Sequence, residues 1–231
     1  MCVYVCLMDV MSLTLHIDIG PFKIPLSLKG VPGMPYFVAR DEEMNDLMQA
    51  LLSRPTRLAC RRVFVLHGVG GSGKTQLAAK FAQESKTIFS STHWINGESR
   101  QNVRQSIADI GRRIPEGQVP AECRRGFASS TEELDMIVSN VLGWFARPEN
   151  KRWLLIFDNV DRDYSPKVDD PLSFDVADFF PETDQGSILV TTRLQQLKQL
   201  GTDRKLEKMG DQQGTEVLRS RIGRPLEGDR A

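Results

Sequence analysis

Eight consecutive residues, Gly68-Val69-Gly70-Gly71-Ser72-Gly73-Lys74-Thr75, constrain this chain more than any other segment. They fit the pattern G-x-x-x-x-G-K-[ST], in which glycines let the backbone curl until successive N–H groups point inward at an anion. The loop is preceded by an apolar run at 62–66 and followed by a helical pattern at 74–85. Strand, glycine loop and helix in that order form the phosphate-binding unit of an α/β protein. The helix start adds its unpaired N–H groups, Gln76 among them, and the positive end of its dipole. Lys74 places a cation against the outer phosphates, and Thr75 offers a hydroxyl to magnesium. Residues 68–76 are therefore the expected cradle for a nucleotide's phosphates.

Around this unit, apolar runs alternate with amphipathic helical patterns, which predicts a parallel sheet covered by helices on both faces, a three-layer α/β/α domain. After the helix at 74–85 comes an apolar and aromatic run at 88–95, then a helix near 101–114. Residues 116–129, rich in Gly, Pro and charge, read as a surface loop. Ser130 with Glu133 forms a capping-box pattern, and Leu134, Ile137, Val138, Val141, Leu142 and Phe145 recur behind it at helical spacing. The continuous apolar runs 153–157 and 187–192 are those of strands buried on both faces. Asp211 can cap a last helix carrying Val217, Leu218 and Ile222.

Upstream, Leu13, Leu15, Ile17 and Ile19 alternate with polar residues as in a short strand or extended arm. Pro21, Pro25, Pro32 and Pro35, with glycines among them, then read as a linker. The expected division is an arm and linker over 1–35, a nucleotide-binding domain over 36–222, and a tail over 223–231.

The run 153–157 ends in Asp158, the form of a Walker B element whose aspartate orients a magnesium shell and its water. Fast hydrolases place a proton acceptor beside it. Here the neighbour is Asn159, which accepts no proton at physiological pH, so slow hydrolysis is expected, with Asp161 as a substitute acid. The strand 187–192 delivers Arg193 at its C-terminal end, where open α/β sheets bind ligands, and a guanidinium there can sense a terminal phosphate.

Composition narrows the alternatives. Across 231 residues, 30 basic and 30 acidic side chains balance, which supplies no chain-wide electrostatic footprint for nucleic acid or an anionic membrane. The four cysteines, Cys2, Cys6, Cys60 and Cys123, lack metal-ligand or disulfide-framework spacing. The apolar run at 1–8 stops at Asp9, short of the ~20 residues a membrane helix needs, and has no basic flank, so a cytoplasmic protein is expected. His16, His67 and His93 pair with no nucleophile in sequence and read as structural.

Taken together, these segments resemble the NB-ARC nucleotide-binding domain of STAND signal-transducing ATPases. The segment 36–43 looks like the start of that domain, with Ala39 where glycine is more usual. Residues 93–99 look like the motif on its second strand, 154–161 like its Walker B region, 187–193 like its sensor strand, and 205–222 like the strand and helix that follow. The resemblance implies ADP or ATP with Mg²⁺ as ligand, Val38 and Arg40 packing beside adenine, and a nucleotide-dependent switch for signalling with slow turnover or none. The winged-helix lid of that family is absent, which raises the expectations of a truncated chain, faster nucleotide release, and self-association or pairing with full-length relatives. A conventional P-loop ATPase or kinase is the alternative from the enzyme class, and a decoy for such relatives the alternative from the interaction class. A GTP-specific protein is disfavoured, since no Asn-Lys-x-Asp segment exists to read guanine.

Overall fold

The computed structural model of the protein describes residues 20–27, 31, 37, 40–52, 61–125, 128–162 and 173–208. Within them, β1 (Arg62–His67), β2 (Ser91–Asn96), β3 (Trp153–Asp158), β4 (Ser187–Thr192) and β5 (Thr202–Lys205) form one sheet. Every pairing is parallel, and the order across the sheet is β2-β3-β4-β1-β5. Four α-helices accompany it among the described residues, α1 (Asp41–Leu52), α2 (Lys74–Glu84), α3 (Arg100–Gly111) and α4 (Thr131–Phe145).

Burial on both faces explains why the inner strands read as unbroken apolar runs. On one face Phe64 and Leu66 of β1, Ile156 of β3 and Leu189 of β4 pack against Leu47 and Leu51 of α1 and Leu77 and Phe81 of α2. On the other, Val65, Leu155, Phe157 and Val190 meet Ile107 of α3 and Val141 and Phe145 of α4. The result is the three-layer α/β/α architecture that the alternating pattern predicts.

Strand order positions the site. β4 lies between β1 and β3, so the loop after β1, the acid ending β3 and the threonines ending β4 converge at one edge of the sheet. Crevices of this kind, outside the carboxyl ends of parallel strands, are where open α/β sheets take ligands.

Local chemistry sets the helix starts. Ser99 caps α3 by accepting from the Asn102 N–H at 3.1 Å, and Ser130 caps α4 by accepting from the Glu133 N–H at 3.2 Å. The Glu133 carboxylate reaches back one residue further than the usual box and accepts from the Ser129 N–H at 2.5 Å. α2 has no side-chain cap: Gly73 precedes it at φ 96°, leaving the N–H groups of its first turn free for an anion.

Two elements had no apolar run to announce them. β5 has the sequence TDRK and is mostly exposed, an edge strand held by its pairing with β1. α1 begins within the segment whose resemblance suggested adenine packing, and buries only Leu47 and Leu51. Inside the expected loop 116–129, a 3₁₀ turn at Ala121–Arg124 buries Cys123. In the expected linker, Ile24 is buried and forms a parallel bridge with Ser91 at the free edge of β2. The alternating arm at 13–19, Val38, the helix expected after Asp211 with Val217, Leu218 and Ile222, and the tail 223–231 lie outside the described residues.

Candidate phosphate and metal site

The glycine loop curls between β1 and α2. Gly71 and Gly73 take positive φ values of 79° and 96°, a conformation that side-chain-bearing residues rarely adopt, and among the described residues, chain neighbours aside, no atom lies within 4 Å of where a Cβ would stand on either. That open space is what a phosphate chain needs to approach the backbone. Within the loop, Ser72 is 1% exposed and its hydroxyl has no hydrogen-bond partner among the described residues, a buried polar atom fit to meet a ligand oxygen.

Lys74 is buried at the start of α2, and its Nζ donates to the carbonyls of Gly68 at 2.8 Å and Val69 at 3.0 Å. Burial pulls its pKa below the ordinary lysine value; nearby Arg193 pulls the same way, and Asp161 and Asp158 oppose both. An anion bound in the loop would relieve the desolvation behind this shift. Val69 and Gly70 are exposed at the loop tip, and Gln76 is half-buried one residue beyond Thr75.

The candidate metal pair, Thr75 and Asp158, is held together by three elements. Thr75 Oγ1 on α2 donates to Asp158 Oδ1 on β3 at 2.9 Å, and Thr191 Oγ1 on β4 donates to the same oxygen at 2.5 Å. Burial raises the Asp158 pKa above the usual aspartate range, the Asp161 charge adds to the rise, and the bonds from Thr191 and Thr75 and the charge of Lys74 counter it. A divalent cation would favour the ionised form. Among the described residues no three His, Cys, Asp or Glu side chains gather as an all-protein cage. That donor set suits magnesium, which takes one or two protein oxygens and completes its shell from phosphates and water.

Asn159 follows Asp158 in a left-handed conformation, φ 67°. Its backbone N–H donates to Thr191 Oγ1 at 3.0 Å, and its side-chain Nδ2 donates to Glu98 Oε1 at 3.0 Å. Asp161, the expected substitute acid, is engaged by Arg193: the Arg193 Nε lies 2.8 Å from its Oδ2, and the Arg193 N–H donates to its Oδ1 at 2.7 Å. The Arg193 side chain remains 60% exposed and lies beside Gly70, 3.4 Å from where a Cβ would be. It therefore stands beside the glycine loop, largely open to solvent.

Arg40 reaches the far side of the loop. Its Nη2 donates to the Ser72 carbonyl at 3.1 Å and to the Glu207 carbonyl at 3.2 Å, and its Nη1 pairs with Glu43 at 3.3 Å. These bonds tie the segment before α1 to the P-loop and to the chain after β5.

Thus residues 68–75, Gln76, Asp158, Asn159, Arg193 and Arg40 converge on one crevice. Thr191 and Glu98 also belong to it and were not singled out as site residues from the sequence. Thr191 stood inside the sensor-strand motif 187–193, and Glu98 inside the stretch 93–99 that resembles the family's second-strand motif, without a role of its own. A cleft of about 710 Å³ opens beside them; Thr75, Asp158 and Asn159 line part of it, and most of its wall comes from β2, α3 and the turns that follow each, with Trp94, Asn96, Glu98, Asp109 and Arg113 among them.

A family model described as the AAA ATPase domain matches residues 36–191. No curated protein matches the sequence. Among solved structures, Cdc6p from Pyrobaculum aerophilum superposes with a TM-score of 0.50 at 14% identity, over 87% of this chain and 54% of that one. A STAND protein with a tetratricopeptide repeat sensor from Pyrococcus horikoshii gives 0.47 at 18% identity, over 90% of this chain and 28% of that one. The Drosophila ORC bound to DNA gives 0.47 at 14%, over 92% and 50% respectively. The chain thus spans between 28% and 54% of the length of these proteins. At these identities the Cdc6p likeness bears on the fold.

Proposed function

The chain belongs to the AAA ATPase domain family, and we propose that within it this domain is an ADP- or ATP-binding switch of the STAND, NB-ARC-like kind, slow to hydrolyse its nucleotide. The observation that carries the reading is the shared oxygen of Asp158, which meets both the P-loop Thr75 and the β4 Thr191 while the adjacent position holds Asn159 in place of an acid. Such a centre binds a magnesium nucleotide and has no acid next to Asp158 in the chain to activate water.

The roles follow from position. Backbone N–H groups of 68–76 cradle the phosphates, and Lys74 turns from the loop carbonyls to the outer phosphates. Thr75 and Asp158 would hold magnesium, which when bound supplies charge to neutralise the phosphate oxygens. Arg193, shared with Asp161, reports the terminal phosphate by exchanging its carboxylate partner for a phosphate one. Arg40 orients the segment on which Val38 would face adenine. The same reading proposes a signal-transduction role in the cytoplasm, with self-association or full-length NB-ARC relatives as partners. No helix among the described residues is long and apolar enough to cross a membrane.

Identifying the nucleotide released on denaturing the purified protein tests the proposal. Adenine nucleotide, chiefly ADP, in stoichiometric amount is expected. Protein that carries none and binds neither ADP nor ATP in calorimetry would overturn it.

A further inference from the structure

We propose that Glu98, contributed by the turn after β2, is the acid that activates the hydrolytic water in this site, and that Asn159 is the positioning residue that holds it there. The inference rests on the magnesium-nucleotide reading above and supplies the acid that the β3 end lacks.

The turn carrying Glu98 is fixed to the metal-binding strand. Asn96 is the register partner of Asp158, and the Gly97 N–H donates to the Asp158 carbonyl at 2.7 Å. A Cβ on Gly97 would meet Val160 Cγ2 at 2.5 Å and the Asp158 carbonyl oxygen at 2.9 Å, so only glycine lets the two strand ends approach this closely. One residue later, both Glu98 carboxylate oxygens have an amide beside them. Asn159 Nδ2 donates to Oε1 at 3.0 Å and Asn96 Nδ2 to Oε2 at 3.4 Å. The Glu98 N–H donates to Asn96 Oδ1 at 3.0 Å, and its carbonyl accepts from Arg162 Nε at 3.1 Å, which locks the backbone of the turn.

Asn159 is the single described non-glycine residue with a positive φ, and asparagine tolerates that conformation better than most side chains. Its strained backbone has a use here, since from it the amide reaches Glu98. Two amide donors hold the carboxylate as an acceptor, on the wall of the cleft that Thr75 and Asp158 also line. The acid and amide are thus distributed across two strands, with the amide after Asp158 and the acid after β2. Asp161, the other nearby carboxylate, accepts from the Arg193 main-chain N–H at 2.7 Å, a bond that holds it at the end of β4 whichever partner the guanidinium takes.

In the step proposed, Glu98 accepts a proton from water as the water oxygen bonds to the terminal phosphorus. The bond from that phosphorus to the departing ADP oxygen breaks, giving ADP and inorganic phosphate, and the proton passes from Glu98 to solvent.

Single-turnover hydrolysis and equilibrium ATP binding on the full chain provide the test. Glu98→Gln is expected to lower the rate roughly 100-fold, the ordinary scale of general-base catalysis, while ATP affinity stays within about threefold. The exchange variant, Glu98→Gln with Asn159→Asp, rebuilds an acid–amide pair in swapped positions and is expected to recover about tenfold over Glu98→Gln alone. In the nucleotide-free protein, the Asn159 side-chain amide resonances should shift on Glu98→Gln, which reads the contact independently of turnover. Wild-type rate in Glu98→Gln, no recovery in the exchange variant, or a wild type that binds ATP without cleaving it would each overturn the role of Glu98. A wild type that binds no ATP would instead sink the reading on which the proposal rests.

Discussion

Two settings of buried polar side chains contrast in this molecule, the candidate phosphate crevice and the interior of β2. In the crevice all but the Ser72 hydroxyl find partners close by among the described residues. Lys74 donates to loop carbonyls, Asp158 accepts from Thr75 and Thr191, and Thr192 Oγ1 donates to the Val160 carbonyl at 2.5 Å. In β2, His93 is 1% exposed and neither ring nitrogen has a partner among the described residues. Its ring packs in a T-shaped arrangement with that of Phe145, 5.4 Å between centroids. The first setting holds charge ready for a ligand, whereas the second holds a titratable ring that only destabilises the fold when it ionises.

The sharpest way to break the comparison is Lys74→Ala. If the lysine serves phosphate and its bonds to Gly68 and Val69 are incidental, nucleotide affinity should fall roughly 10- to 100-fold, the loss of about 1.5–3 kcal/mol of charge-assisted bonding, with the fold intact. Titration with a fluorescent ADP analogue checks it. Equal affinities with unchanged circular dichroism would make the lysine a buried structural group with no part in binding, as His93 is.

His93 should announce itself through acid. Burial, aided by the charge of Arg113, depresses its pKa to about 3, well below the unfolded value of about 6.5. The unfolded chain therefore binds the extra proton, and the stability linked to His93 is full above pH 6.5 and is lost as pH falls towards 3. Between pH 6.5 and 5 the loss is about 2 kcal/mol. His93→Leu, close in volume and uncharged, should flatten that part of the pH dependence in urea unfolding midpoints. An unchanged pH slope in the variant would mean that the ring is not neutral and buried in solution.

How far the sequence could see differs between the same two settings. The P-loop was legible because its chemistry needs specific residues at fixed spacing over eight contiguous positions. The strands β1, β3 and β4 were legible because burial on both faces writes an unbroken apolar run. β5 was not, since Thr202–Lys205 is an edge held by main-chain pairing and carries no apolar signature. The partners that complete the crevice come from separate strands, as when Thr191 reaches Asp158 across 33 residues and Asn159 reaches Glu98 across 61. Such contacts depend on strand order, and β4 standing between β1 and β3 is a property of topology that no local pattern contains. His93 was read as structural from its isolation in sequence, but that isolation said nothing of its burial or its missing partners.

The smallest expected effect probes the crevice from the side of stability. Burial raises the folded pKa of Asp158, so the folded, nucleotide-free protein holds that proton more tightly than the unfolded chain does. Its linked contribution is therefore present below the unfolded value of about 3.9 and is lost as pH rises through the folded pKa. At pH 7 the ionised carboxylate is a liability until a cation arrives. Asp158→Asn keeps an oxygen to accept from Thr75 and Thr191 and removes the charge, so it should raise the melting temperature of nucleotide-free protein at pH 7 by a few degrees at most. The same variant should lose the gain in nucleotide affinity that magnesium gives the wild type. A melting temperature that drops, together with an undiminished magnesium effect, would mean that Asp158 braces the ends of β3 and β4 and that the cation is held elsewhere.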